Sequence, residues 1–212
     1  MKRLAFVPVL LLLAFAPPLC GSAKVGGKLS PDGTEIQIDL PGSQHKANIS
    51  SRGLGCCVFR SLDHAAKWCD EPALFGMPEW MVSKGIPGGG YPEKVDKLIP
   101  QIAKDRGLPT PEYVQIQGDD IEILKTALAS GRMVCITYSY SATGRYGGQR
   151  IAHMVNAVHG DDKYFAILDN NYIGENNYEW NDIGSFRKTY SPRGDGWAVI
   201  LLKHGPPPPP RN

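Results

Sequence analysis

The chain is poor in the features that define several protein classes. Its 212 residues include five cysteines, one of which, Cys20, lies in the N-terminal apolar region, leaving Cys56, Cys57, Cys69 and Cys135. Four cysteines are too few for a scaffold built on disulfides. Cys57 and Cys69 also fall on one helical stretch, about 18 Å apart at about 1.5 Å per residue, and so cannot pair. The formal net charge is only +2, with no basic cluster interleaved with aromatics, which excludes the usual electrostatic footprint of a nucleic-acid binder. No long hydrophobic run is present. The apolar stretch Leu4 to Ala16 is shorter than the roughly 20 residues needed to span a bilayer, so no stable membrane insertion is expected. Lys2 and Arg3 precede that stretch and Gly21, Ser22 and Ala23 follow it, the pattern of a secretory signal peptide over residues 1–23. Cleavage is expected near Ala23, giving a secreted or periplasmic protein, and the bulky Leu19 before Cys20 argues against lipid attachment.

The remaining chain of about 190 residues is long enough for one domain with a substantial core. Residues 24–45 form a leader in which Thr34 to Leu40 alternates polar and apolar up to Pro41-Gly42, as a half-buried strand does. The main domain spans 46–204. A proline-rich tail, 205–212, has no core to join and is expected to be solvated.

The main domain opens on Gly53-Leu54-Gly55-Cys56-Cys57-Val58, a glycine-rich turn that delivers a cysteine to the start of a helix. Val58, Leu62, Ala65, Ala66 and Cys69 share one side of that helix, while Arg60, Asp63, His64 and Lys67 fall on the side expected to face solvent. A helix N-terminus carries about half a positive charge and favours thiolate over thiol. Cys57, at the border of the apolar face, is the candidate nucleophile, and Cys56, ahead of the helix, has a conformational role. Further on, Pro87-Gly88-Gly89-Gly90-Tyr91-Pro92 is a loop whose glycines either admit a ligand backbone or simply make a turn. Helices are expected over about Glu93–Arg106 and Ile121–Ala129, and strands over Met133–Tyr140 and Gly196–Leu202.

The second informative stretch is Ile151 to His159, a break at Gly160-Asp161-Asp162, and Tyr164 to Asn170, which together make a β-hairpin. A three-residue loop pairs Val155 with Ile167 and His153 with Asp169. Facing side chains have Cβ atoms about 5 Å apart, close enough for a carboxylate to hold an imidazole. A loop one residue longer brings Asn170 opposite instead. His159 lies about 20 Å from His153 along the strand and is expected to be solvated at the turn. Cys57, His153 and Asp169 thus stand in the order nucleophile, base, orienting group.

This arrangement resembles the papain-like cysteine protease superfamily, nearer its bacterial C39-like branch. The resemblance covers about 46–204 and rests on a cysteine opening a helix, on His153-Met154-Val155-Asn156-Ala157-Val158, and on the strand ending in Asp169. It implies an α+β fold, with the nucleophile helix packed against an antiparallel sheet that carries the histidine and the aspartate. It also implies an exported cysteine-type peptidase acting on peptides or proteins without a cofactor or metal. Two departures stand out. No tryptophan follows the nucleophile, and the glutamine expected six residues before it, the oxyanion donor, is Ser51. Asn48, Ser51 and Asn170 are the secondary candidates, and Asn48, like Gln44, serves only if the loop folds back. Alternative functions are acyl transfer or amide hydrolysis of the transglutaminase or peptidoglycan type, and an inactive binding module on the same fold.

Overall fold

A computed structural model describes residues 23–206. The signal segment up to residue 22, with Cys20, and the tail from residue 207 lie outside the described residues. The chain forms β1 (Lys24–Gly26), β2 (Ser50–Ser51), β3 (Leu54–Gly55), α1 (Cys57–Trp68), α2 (Met77–Ser83), α3 (Pro92–Asp105) and β4 (Tyr113–Gln117). There follow α4 (Ile121–Ala129), β5 (Val134–Tyr138), β6 (His153–Gly160), β7 (Tyr164–Leu168), β8 (Tyr178–Asp182), α5 (Ile183–Tyr190) and β9 (Trp197–Leu201). Seven strands make one antiparallel sheet in the order β1-β8-β7-β6-β5-β9-β4, and β2 and β3 form a separate two-stranded ribbon.

α1 packs across β6, β5 and β9. Phe59, Leu62, Ala65 and Ala66 are buried, as the helical periodicity requires. β6 is buried along its whole length, so a strand that alternates in sequence is in fact covered on both faces. The aspartates before α4 and α5, Asp120 and Asp182, cap them by accepting from the N–H groups of Glu122 and Ser185. α2, β4 and α5 carry no strong pattern of their own and are set by what they pack on. Phe186 of α5, for example, stacks on Phe165 of β7 with ring centroids 3.7 Å apart.

Four sequence expectations are corrected. Thr34–Leu40 is not a ladder strand: only Leu29 and Glu35 form an isolated bridge. Its alternation still reports burial, because Ile36, Ile38 and Leu40 enter the core, and the Ile38 N–H donates to the Val158 carbonyl. The outer face of α1 is not solvated. Arg60, Asp63 and His64 are buried beneath the 46–49 segment and α2. Asp63 accepts from Arg60, Lys67 and the Gly76 N–H, so the charges are buried as a paired cluster. His159 is also buried, bonded to Asp161 and lying against Trp180. Finally, the β6–β7 register pairs Asn156 with Leu168 and Ala157 with Ile167, then shifts by one between Ala157 and His159. The alternation sets which residues share a face, whereas the register depends on the turn and on this bulge, which pattern alone does not display.

Candidate active site

The β2–β3 ribbon leads directly into α1. Its two-residue loop, Arg52-Gly53, has φ of 50° and 77°, the left-handed backbone that tight hairpins require. The chain leaves β3 directly into Cys56, whose N–H donates to the Ile49 carbonyl, and α1 starts at Cys57. Cys57 is half-buried and lines a cleft of about 940 Å³. Val58, Gly90, Met154 and Trp197 form much of its wall.

His153, the first residue of β6, reaches the same cleft. Its Nε2 donates to Asp169 Oδ1 at 2.9 Å, and its ring is near enough to Cys57, across the same cleft, to perturb the titration of the thiol. In the observed register Asp169 lies diagonally from His153 rather than opposite it, a separation that these side chains bridge. His153 is therefore hydrogen-bonded to Asp169 and electrostatically coupled to Cys57. Burial disfavours charge on His153, but Asp169 and Cys57 outweigh that and push its pKa up to about 9. Burial likewise opposes the Cys57 thiolate, yet the adjacent imidazole holds its pKa below the ordinary value. Burial raises Cys56, Cys69 and Cys135 instead, so Cys57 is the one thiol of these four tuned toward the thiolate. Despite its burial, Asp169 is held in the ionised form by His153, the Asn171 N–H and Tyr146.

The secondary candidates separate. The Ser51 hydroxyl donates to the Ile86 carbonyl and is buried away from the cleft. Asn170 does not meet His153. Its amide nitrogen lies 2.9 Å from the Met154 carbonyl, 3.0 Å from Ser61 Oγ and 3.2 Å from the Cys57 carbonyl, so it staples α1 to β6. Asn48 lines the cleft, with its amide nitrogen 3.3 Å from where a Cβ on Gly55 would sit, and its own N–H is anchored on the Asn170 carbonyl.

Two groups gave no signal in the sequence. Tyr146, held at φ 62°, donates its hydroxyl to Asp169 Oδ2 at 2.8 Å and lays its ring near His153 and Tyr172. The loop carrying it is anchored on Glu179, a buried carboxylate that accepts from Tyr138, Ser141, Thr143 and the Ala142 N–H. A non-glycine residue kept in the left-handed region by surrounding contacts is a common mark of a functional site. The only hint in the chain is the glycine spacing Gly144, Gly147, Gly148 around it.

No family model and no curated protein matches this sequence. Among solved structures, the chain is similar to a Bacillus anthracis protein described as a C39-like peptidase. The TM-score is 0.50 at 16% identity, covering 82% of this chain and 100% of that one. The fold is thus the papain-like α+β fold, of the form seen in C39-like peptidases.

Proposed function

We propose that the protein is an exported cysteine peptidase with Cys57 as nucleophile, His153 as general base and acid, and Asp169 as orienting residue. The observation that carries this reading is that Cys57, at the start of α1, and His153, hydrogen-bonded to Asp169, line one cleft. The Cys57 thiolate attacks the carbonyl carbon of a peptide bond, and the negative charge passes to the carbonyl oxygen. Asn48 and the Cys57 N–H, one of the donors that a helix's first turn leaves free, are the groups available to receive that oxyanion. His153, charged at rest, gives its proton to the departing amine, leaving a thioester on Cys57. Neutral His153 then takes a proton from water, whose oxygen attacks the thioester; the C–S bond breaks, releasing the acid and restoring the Cys57 thiolate beside the charged His153.

The cleft wall fits an extended peptide. At Gly88 and Gly90 an added Cβ would sit 1.9 Å from the Leu54 carbonyl oxygen and 2.3 Å from a Val58 methyl. At Gly89, φ is 71°. Only glycine fits all three positions, and Gly89 and Gly90 line the cleft with bare backbone. Export is supported by Lys2-Arg3, the apolar run and the small residues up to Ala23. A peptidyl epoxide at mildly acidic pH is expected to modify Cys57 alone, and casein to be cleaved while purified cell wall is not. Cell-wall cleavage without casein cleavage would favour the peptidoglycan alternative, and absence of modification would favour an inactive module. Mass measurement of the protein from its host is expected to find an N-terminus near Ala23.

A further inference from the structure

Lys94, in the first turn of α3, lies beneath the glycine wall. Its Nζ donates to three consecutive carbonyls, Pro87 at 2.7 Å, Gly88 at 2.6 Å and Gly89 at 2.8 Å, and lies 5.5 Å from the centroid of the Phe59 ring. Among the described residues no carboxylate pairs with it. An ammonium has three donors, and here all three are spent on main chain. In a trans peptide the C=O and the following N–H point in opposite directions. Drawing three carbonyls toward Nζ therefore turns the N–H groups of Gly88, Gly89 and Gly90 away from it. Two of these reach the ribbon in front of Cys57: Gly88 donates to the Ser51 carbonyl at 2.9 Å and Gly89 to the Gly55 carbonyl at 2.7 Å. The third, on Gly90, has no acceptor among the described residues, and Gly90 lines the cleft.

We infer that Lys94 is a positioning residue for substrate: by clamping the carbonyls of Pro87, Gly88 and Gly89 it fixes the Gly90 N–H as a free donor for the main chain of a bound peptide. The inference rests on the peptidase reading and adds to it how the peptide is held. Recognition at this point is of backbone rather than side chain, because glycine presents nothing else. Loss of the ammonium leaves three carbonyls without a partner and frees the segment to rotate its peptide units.

The test compares two reagents on the full chain, wild type and Lys94→Met, which keeps the length of the side chain and removes its charge. Iodoacetamide reads only the Cys57 thiolate, whereas a leucine-containing peptidyl epoxide also needs the wall. In Lys94→Met the rate with the peptidyl epoxide, divided by that with iodoacetamide, is expected to fall about three- to tenfold, the range set by one hydrogen bond. Lys94→Gln, whose amide can still reach part of the carbonyl cluster, is expected to fall in between and serves if the methionine variant does not fold. An unchanged ratio, or both rates falling together, would overturn the inference. Wild-type protein that iodoacetamide labels, but on which the peptidyl epoxide gains no advantage, would also overturn it and leave the thiolate intact. Wild-type protein labelled by neither reagent would overturn the peptidase reading itself.

Discussion

Replacing Asp169 by asparagine separates the charge of the proposed orienting group from its shape. Burial alone would lower the His153 pKa, yet Asp169 and Cys57 push it up from its ordinary 6.5 to about 9. At about 1.36 kcal/mol per pH unit this is on the order of 3 kcal/mol in favour of the imidazolium, which Asp169 and Cys57 together supply beyond the opposing cost of burial. Removing one of the two negative partners is expected to lower the imidazole pKa by about 1 to 2 units. The sign follows from the chemistry. In the proposed reaction His153 must carry a proton to release the amine, so activity is expected to be lost as pH rises through its pKa. The alkaline limb of kcat/KM should therefore move from about 9 to between about 7 and 8. At pH 6 the loss is expected to be modest, about tenfold. An imidazolium has two N–H donors and no tautomer to select, so an amide oxygen still serves Nε2 and the Asn171 N–H. The new amide nitrogen faces the Tyr146 hydroxyl, which already accepts from the Asn171 amide, and that mismatch sets the residual cost. Asp169→Ala removes the acceptor altogether and should cost about a hundredfold or more. The measurements are kcat/KM against pH on a fluorogenic peptide and the titration of His153 by nuclear magnetic resonance. An alkaline limb that stays near 9 in Asp169→Asn, or an alanine variant as active as the asparagine variant, would refute the reasoning.

Four further outcomes are expected. His153→Ala should lower kcat/KM by about 10² to 10⁴ and more than Asp169→Ala does, whereas His159→Ala should keep most activity but melt at lower temperature, since His159 is buried against Trp180. Cys57→Ser should abolish alkylation at pH 6, while Cys56→Ser preserves it and loses stability, because Cys56 is fully buried; labelling that followed Cys56 would move the nucleophile by one residue. Asn48→Ala is expected to lower kcat about a hundredfold with little change in KM, the pattern of a lost oxyanion donor, and an equal change in both constants would count against that role. Tyr146→Phe removes one hydrogen bond to a buried carboxylate and should reduce kcat/KM about tenfold, with no change in iodoacetamide labelling below pH 7.

The local signals were legible where a residue's role follows from its neighbours in the chain. Helical periodicity and the glycine turn located α1 and the half-buried Cys57 at its start, and the sequence limits of α4 match the structure residue for residue. Turn residues and alternation located the β6–β7 hairpin that brings His153 and Asp169 together, because both lie on one contiguous stretch. What pattern could not supply was anything decided across the fold. A single strand's periodicity does not record a bulge, so the pairing of His153 with Asp169 emerged as diagonal rather than direct. Whether the polar face of α1 meets water or another element depends on α2 and the 46–49 segment, and there Arg60, Asp63 and His64 became interior. Asn48 reaches the cleft because the β2–β3 ribbon folds back in front of Cys57, whereas Ser51, at the expected spacing, is turned toward Ile86. Tyr146 and Lys94 carry no pattern at all: each acts through one long side chain, on a carboxylate 23 residues away in one case and on three carbonyls of the preceding loop in the other. Sequence periodicity reports how a segment meets its surroundings on average, and such single contacts exist only once the backbone has closed around them.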